Sequence, residues 1–158
     1  MKSLTESRTL PYTAKQLYDL AIDIERYPEF IPLCKRASVG EVTELADGTH
    51  QFGSVLVFRY RKFGIYEEFE SQITADPNAT TILSESDGPP FTSFSAKWSF
   101  TDTSAEEALA EIEVSYEFRS KALALFIDRV AGAAIERLIG AWEDRAAELY
   151  GSSDGVAA

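Results

Sequence analysis

The chain carries a single cysteine, Cys34, and a single histidine, His50. That scarcity excludes an intrachain disulfide, a Cys/His zinc site and any Cys-His catalytic pair other than the one those two would make, and it suits a reducing compartment. No stretch approaches the roughly 20 apolar residues of a membrane span, and the segment Met1 to Arg8 holds no long apolar region. The expected location is the cytoplasm, with at most peripheral association with an inner membrane. Basic residues are also scarce: 15 Lys and Arg against 26 Asp and Glu give a formal charge of −11. Such a balance opposes broad binding to phosphate backbones, DNA included, while leaving room for a local basic patch. No internal repeat or low-complexity tract appears.

What the chain has is ring surface. Ten Phe, seven Tyr and two Trp make up 12% of 158 residues, enough to fill a core or line a cavity. A chain of this length buries about 70% of the surface its unfolded form exposes, as one domain over residues 1–151 followed by a frayed tail, 152–158. The most informative stretch is Tyr27-Pro28-Glu29-Phe30-Ile31-Pro32-Leu33-Cys34. Its two prolines bar both helix and central strand and pre-orient their neighbours, so it reads as a rigid lip that docks on something apolar. The plainer alternative is a packed connector.

Around that lip the elements follow from periodicity. Residues 2 to 10 read as a strand ended by Pro11, and Thr13 caps a helix over Ala14 to Leu20. A second short helix spans Asp23 to Arg26. Asp47-Gly48 signals a two-residue hairpin pairing 35–45 with 50–61, and Lys62-Phe63-Gly64 supplies the next turn. Strands over Ile65 to Ala75 and Thr80 to Ser84 follow, separated by Asp76-Pro77-Asn78. Phe94, Ala96, Trp98 and Phe100, then Ile112, Val114, Tyr116 and Phe118, alternate with polar residues, giving two strands with one dry face each. Residues 121 to 150 cover that face: Ile127, Val130, Ala134, Leu138, Trp142, Ala146 and Leu149 recur at helical steps, and Gly151 is a natural stop. The fold expected is α+β, a curved antiparallel sheet wrapped around a long C-terminal helix, with a cavity between them.

Simple register places Lys35 opposite Tyr60, Ala37 opposite Phe58, Val39 opposite Leu56, Phe58 opposite Phe69 and Tyr60 opposite Glu67. Lys35, Tyr60 and Glu67 would then stand together at the outer end of an apolar face, able to hydrogen-bond a polar headgroup. The bland alternative is an exposed ion pair at strand ends. The opposite face groups Arg36, Arg59 and Arg61, with Glu68 opposite Arg59 and Lys62 nearby, either a patch for anionic lipid or an ordinary solvated face. Phe30, Ile31 and Leu33 are expected to form an apolar tip beside it, the gate through which a ligand passes at a membrane surface. Trp98 and Trp142 both sit on dry faces, and His50 lies exposed beside a turn.

This order of elements, together with Ser7-Arg8, Pro11-Tyr12, the proline loop with the preceding Asp23-Ile24-Glu25-Arg26, Thr74-Ala75-Asp76-Pro77, Gly88-Pro89-Pro90-Phe91, Trp98-Ser99-Phe100 and Glu148-Leu149-Tyr150-Gly151, resembles the START-like helix-grip superfamily. Within it, the coenzyme-Q-binding group related to polyketide cyclases is the nearest likeness, and the proline loop is its specific carrier. The chain departs from that pattern at Lys62-Phe63-Gly64-Ile65-Tyr66, where a more apolar turn is expected, and at the small run Gly132-Ala133-Ala134. The resemblance implies a ubiquinone carrier without catalysis or catalytic cofactor, supporting respiratory electron transport. Its ligand site would draw on Phe30, Ile31, Leu33, Lys35, Phe58, Tyr60, Glu67, Phe69, Phe94, Trp98, Phe100, Tyr116, Val130, Leu138 and Trp142. Partners implied are a polyprenyl quinone, a transient membrane surface and respiratory-chain components. Some bacterial relatives resemble ribosome-association toxins, a second reading that needs a contiguous basic surface. A polyketide cyclase is the third, and would draw acid/base groups from Glu67, Lys35, Arg119 and the tyrosines.

Overall fold

A computed structural model describes residues 2–60 and 65–151; the side chains of residues 60, 65–67, 130, 131, 134 and 135 fall outside that description. The expected turn at Lys62 to Gly64, Arg61 and the tail 152–158 lie outside the described residues. The order is β1 (Lys2–Leu10), α1 (Ala14–Ile22), a 3₁₀ helix (Ile24–Glu29), β2 (Cys34–Val39), β3 (Thr43–Glu44), β4 (His50–Tyr60), β5 (Ile65–Asp76), β6 (Thr81–Ser86), β7 (Phe91–Ser104), β8 (Glu107–Phe118) and α2 (Lys121–Tyr150). All eight strands join one antiparallel sheet in the order β1-β8-β7-β6-β5-β4-β2, with β3 also on β4. The sheet curves around α2, as the alternation of its strands requires.

Local chemistry sets the ends of the helices. Thr13 and Gln16 form a reciprocal capping box at α1, Thr13 Oγ1 accepting from the Gln16 N–H at 3.2 Å and Gln16 Oε1 accepting from the Thr13 N–H at 2.9 Å. Ser120 caps α2 by accepting from Leu123 N–H, and Gly151, at φ 85°, ends it where a side chain would be strained. The 3₁₀ helix corrects the expectation that nothing helical runs through Pro28. Its turns are Asp23 to Arg26 and Tyr27 to Phe30, closed by N–H bonds of 3.2 and 3.1 Å. Pro28 is the second residue of the later turn, where no N–H is needed and its fixed φ fits.

Register differs from the simple reading on both sides of β4. The β3–β4 hairpin closes between Leu45 and Thr49, with Gly48 at φ 89° and Asp47 Oδ1 accepting from Thr49 N–H at 3.0 Å, so its loop is one residue longer than Asp47-Gly48 alone implies. One more residue is taken up between Val39 and Thr43, so Ala37 pairs with Leu56 and Val39 with Ser54, two positions from the simple register. Across β4 and β5, Leu56 pairs with Phe69, Phe58 with Glu67, Arg59 with Tyr66 and Tyr60 with Ile65, a slip of two that keeps every residue on its expected face.

The core gathers at one end. α1 contributes Leu17, Tyr18, Leu20 and Ala21, the sheet Phe52, Ile73, Ala75, Ile82, Phe100, Ala108 and Ala110, and α2 Ala146. Tyr12 donates to the Gly151 carbonyl at 3.0 Å and Tyr150 to the Gln16 carbonyl at 3.0 Å, tying the last turn of α2 to α1. Leu149, expected on the dry face, is half exposed; Tyr150 takes the packing position instead, its ring 6.0 Å from that of Tyr12.

Candidate functional site

The inner face of the sheet carries two sets of rings. At the core end, Trp142 of α2 meets Trp98 at 5.2 Å, Phe30 at 5.1 Å and Tyr27 at 5.5 Å, while Trp98 stacks on Phe100 at 5.9 Å. At the other end, Phe69, Phe91, Phe94, Tyr116 and Phe118 form a second set: Phe69 lies 4.9 Å from Phe94, Phe91 stacks on Phe118 at 4.7 Å, and Phe118 meets Tyr116 at 5.4 Å. Between them, on the same face, the buried hydroxyls of Ser54 and Ser71 pair at 2.8 Å. Two hydroxyls sharing one hydrogen bond keep one proton free to donate, which is what a ligand oxygen needs.

The helix covers these two ring sets unequally. Among its described side chains the buried ones are Arg145 and Ala146, and every described residue from Lys121 to Asp144 keeps some exposure. The second ring set therefore faces a helix half in which no described side chain is fully buried. A small, partly open recess of about 40 Å³ lies nearer the core end, lined by Leu10, Trp98, Ala110, Ile112, Ile139 and Trp142 together with Glu6, Ser7, Arg8 and Glu143. The Trp142 indole nitrogen is buried without a hydrogen-bond partner. A larger recess of about 520 Å³ opens where β6 ends, lined by Phe94 together with the polar Gln72, Glu85, Ser86, Asp87, Ser93, Ser95 and Ser115.

The proline loop is held down rather than projected. Arg145, only 7% exposed, bonds Glu29 at 2.8 Å and Glu148 at 3.3 Å and lies 5.2 Å above the Phe30 ring. The Tyr27 hydroxyl donates to the Ala21 carbonyl, and burial, with Asp23 adding, raises its pKa. Phe30 thus packs inward and Ile31 is half-buried, so of the expected apolar tip only Leu33 is exposed, at φ 68°. The proposed Lys35-Tyr60-Glu67 cluster is not assembled by the strands. Lys35 falls in the bulge between Cys34 and Arg36 and is exposed, because that extra residue turns it away from the inner face. Tyr60 pairs with Ile65, not Lys35 or Glu67, whose partner is Phe58. Of the basic group, Arg36 and Arg59 are exposed, and Arg59 stands opposite Tyr66 rather than Glu68.

The other expected residues fall on the inner face or the helix: Phe58 and Leu138 are half-buried, Phe94 and Trp98 half-buried, and Phe69, Phe100 and Tyr116 buried. The side chain of Val130 lies outside the described residues. Tyr27, Phe91, Phe118 and Arg145 are the additions. Tyr27 and Arg145 were visible in outline, three residues from Phe30 and Trp142 respectively on helical turns; Phe91 was hidden behind two prolines. Among the described residues no buried carboxylate and no group of His, Cys, Asp and Glu fit to hold a metal occurs, and no helix is long and apolar enough to cross a membrane.

Comparison with known proteins places this geometry. The model of the polyketide cyclase / dehydrase and lipid transport family matches residues 10–143, so the chain belongs to that family. It is 30% identical over 151 residues, 96% of this chain and 99% of the relative, to a Vibrio cholerae protein named ribosome association toxin RatA. It is 28% identical over 116 residues, 73% of this chain and 68% of the relative, to the Schizosaccharomyces pombe coenzyme Q-binding protein coq10, mitochondrial. A START superfamily protein from Mycobacterium smegmatis shares the fold with a TM-score of 0.75 at 18% identity, over 93% of this chain and 98% of its own.

Proposed function

We propose that the chain is a non-enzymatic carrier of a polyprenyl quinone, with ubiquinone the first candidate. The observation that carries this is the ring-lined inner face of Phe69, Phe91, Phe94, Tyr116 and Phe118 beneath a helix half that buries none of its described side chains. An isoprenoid tail placed there gains about 0.8 kcal/mol per buried CH₂, and the free proton of the Ser54 and Ser71 pair suits one headgroup oxygen. The likeness to a coenzyme Q-binding protein supports the choice of ligand. Organic extraction and mass spectrometry of natively purified protein test it: a copurifying long-chain quinone is expected, reduced at least tenfold in Phe94→Asp, which places a charge among the rings. Absence of quinone from the parent, and failure to take it up when added, would sink the reading.

A second reading, association with the ribosome, is favoured by the full-length likeness to the RatA protein. Exposed Arg36 and Arg59 are its candidate contacts. It requires salt-sensitive cosedimentation with ribosomal particles that is lost on substituting those two arginines.

A further inference from the structure

We infer that the first half of α2 is a docking surface for an anionic lipid bilayer. An ordinary helix on a globular protein turns its apolar residues inward and its charges outward. Here the outward arc is different. At 100° per residue, Leu125, Glu136, Arg129, Ala122, Ala133 and Phe126 follow one another within about 100° of the helix circumference, flanked by Lys121 and Arg137, so one acid, Glu136, shares the arc with the apolar and basic residues. Among the described residues of this half of the helix, the large apolar side chains most open to solvent are Leu125, 66% exposed, and Phe126, 38%.

Charge sorts the same way. The acids of this half, Asp128 and Glu136, are each engaged by β1: Lys2 reaches Asp128 at 3.7 Å and Arg8 reaches Glu136 at 3.2 Å. Lys121, Arg129 and Arg137 have no ion pair among the described residues, so this stretch is basic on a chain whose formal charge is −11. Beyond it the helix turns acidic at Glu143, Asp144 and Glu148. Exposed apolar groups interleaved with long cationic side chains that can snorkel are the composition of an interfacial helix. An RNA surface would use the cations but gain nothing from an exposed Leu125, which is why the bilayer is the partner argued.

The helix begins beside the second ring set, where Arg119 bonds the carbonyls of Phe91 and Asp87 at 2.8 Å each. Docking there sets the loosely covered inner face against the membrane. The surface stands independently of the ligand, so its test uses quinone-free vesicles of phosphatidylcholine with or without phosphatidylglycerol. In flotation at low salt the protein is expected on the anionic vesicles and to leave them at high salt. Arg129→Gln with Arg137→Gln should weaken that binding about 25-fold, and Leu125→Ser about tenfold, while Asp144→Asn on the acidic half changes nothing. Circular dichroism and thermal melts confirm that each variant is folded. The proposal is overturned if the parent ignores anionic vesicles, if the arginine and leucine variants bind as the parent does, or if the same residues are needed for ribosomal particles and not for vesicles.

Discussion

The two halves of α2 are built from one uninterrupted helix and behave as two different objects. From Trp142 onward it is locked: Ala146 is 1% exposed, Arg145 is clasped by Glu29 and Glu148, Trp142 touches three other rings, and Tyr150 reaches back to α1. From Lys121 to about Leu138 it is a lid over rings, with no described side chain buried. Backbone geometry does not separate them, since the helical hydrogen bonds continue through Gly132 and Gly140 and a Cβ at either would meet nothing within 4 Å. What differs is the partner surface. The locked half has α1 and the proline loop to close around it, whereas the open half has only the sheet. Among the described residues, the fully buried side chains of α2 are therefore concentrated at its C-terminal end.

The largest effect should come from placing the same charge in each half. Ala146→Asp buries a carboxylate with no partner and should cost about 4 kcal/mol or more, enough to unfold a marginal domain. Ala122→Asp, on the exposed arc, should stay within about 0.5 kcal/mol. Chemical denaturation of the two variants reads the difference directly, and equal losses would mean that the helix is uniformly buried in solution. Truncation gives a smaller contrast. Trp142→Ala removes the ring on which Tyr27, Phe30 and Trp98 converge and should cost about 3 kcal/mol, against less than about 0.5 for Leu125→Ala.

The same division explains what could be read from the sequence. The span of α2, its cap region and the alternation of β7 and β8 were legible because each depends on local periodicity, and Trp98, Trp142 and Phe100 fell on the expected dry faces. Two things were not. Pairing across β4 depends on loop length, and a hairpin closing at Leu45 and Thr49 plus a bulge at Lys35 moved the headgroup cluster apart while leaving the apolar face intact. Nor could periodicity distinguish a helix half that is packed from one that merely faces the sheet, because Ile127 and Leu138 carry the same pattern as Trp142 and Ala146. That the proline loop docks on something apolar was legible, and Phe30 packs against Tyr27 and Trp142. The loop's direction was not, since the inward pull on Phe30 comes from Arg145, 115 residues later in the chain.

Alkaline pH probes the locked end more gently. Burial raises the pKa of Tyr27, with Asp23 adding, and also raises those of Tyr12, Tyr18 and Tyr150, so each holds its proton in the folded chain longer than in the unfolded one. The unfolded chain then binds fewer protons above pH 10.0, the ordinary phenol value, and stability falls as pH rises past it, having been constant with respect to these groups below. Tyr27→Phe should cost about 1 kcal/mol at neutral pH through the lost bond to the Ala21 carbonyl, and should flatten the alkaline decline. A decline unchanged by the substitution would place the burden on the other tyrosines.

The smallest expected difference is also the one that ties the open half to its ligand. Amides from about Leu123 to Leu138 should exchange with deuterium faster than those from Trp142 to Tyr150, since none of the described side chains there is fully buried and local opening costs correspondingly less. A quinone seated between the second ring set and the helix would supply the missing contacts, and an occupant at a hundred times its dissociation constant adds about 2.7 kcal/mol to any opening that releases it. Protection should therefore rise in the first half of α2 and around Phe69 and Tyr116, with little change from Trp142 onward, where opening is already limited by Arg145 and the Trp142 ring set. Protection gained at the locked end instead would put the ligand in the recess between Trp98 and Trp142, and would make the ring-lined end a membrane-facing surface with no cargo of its own.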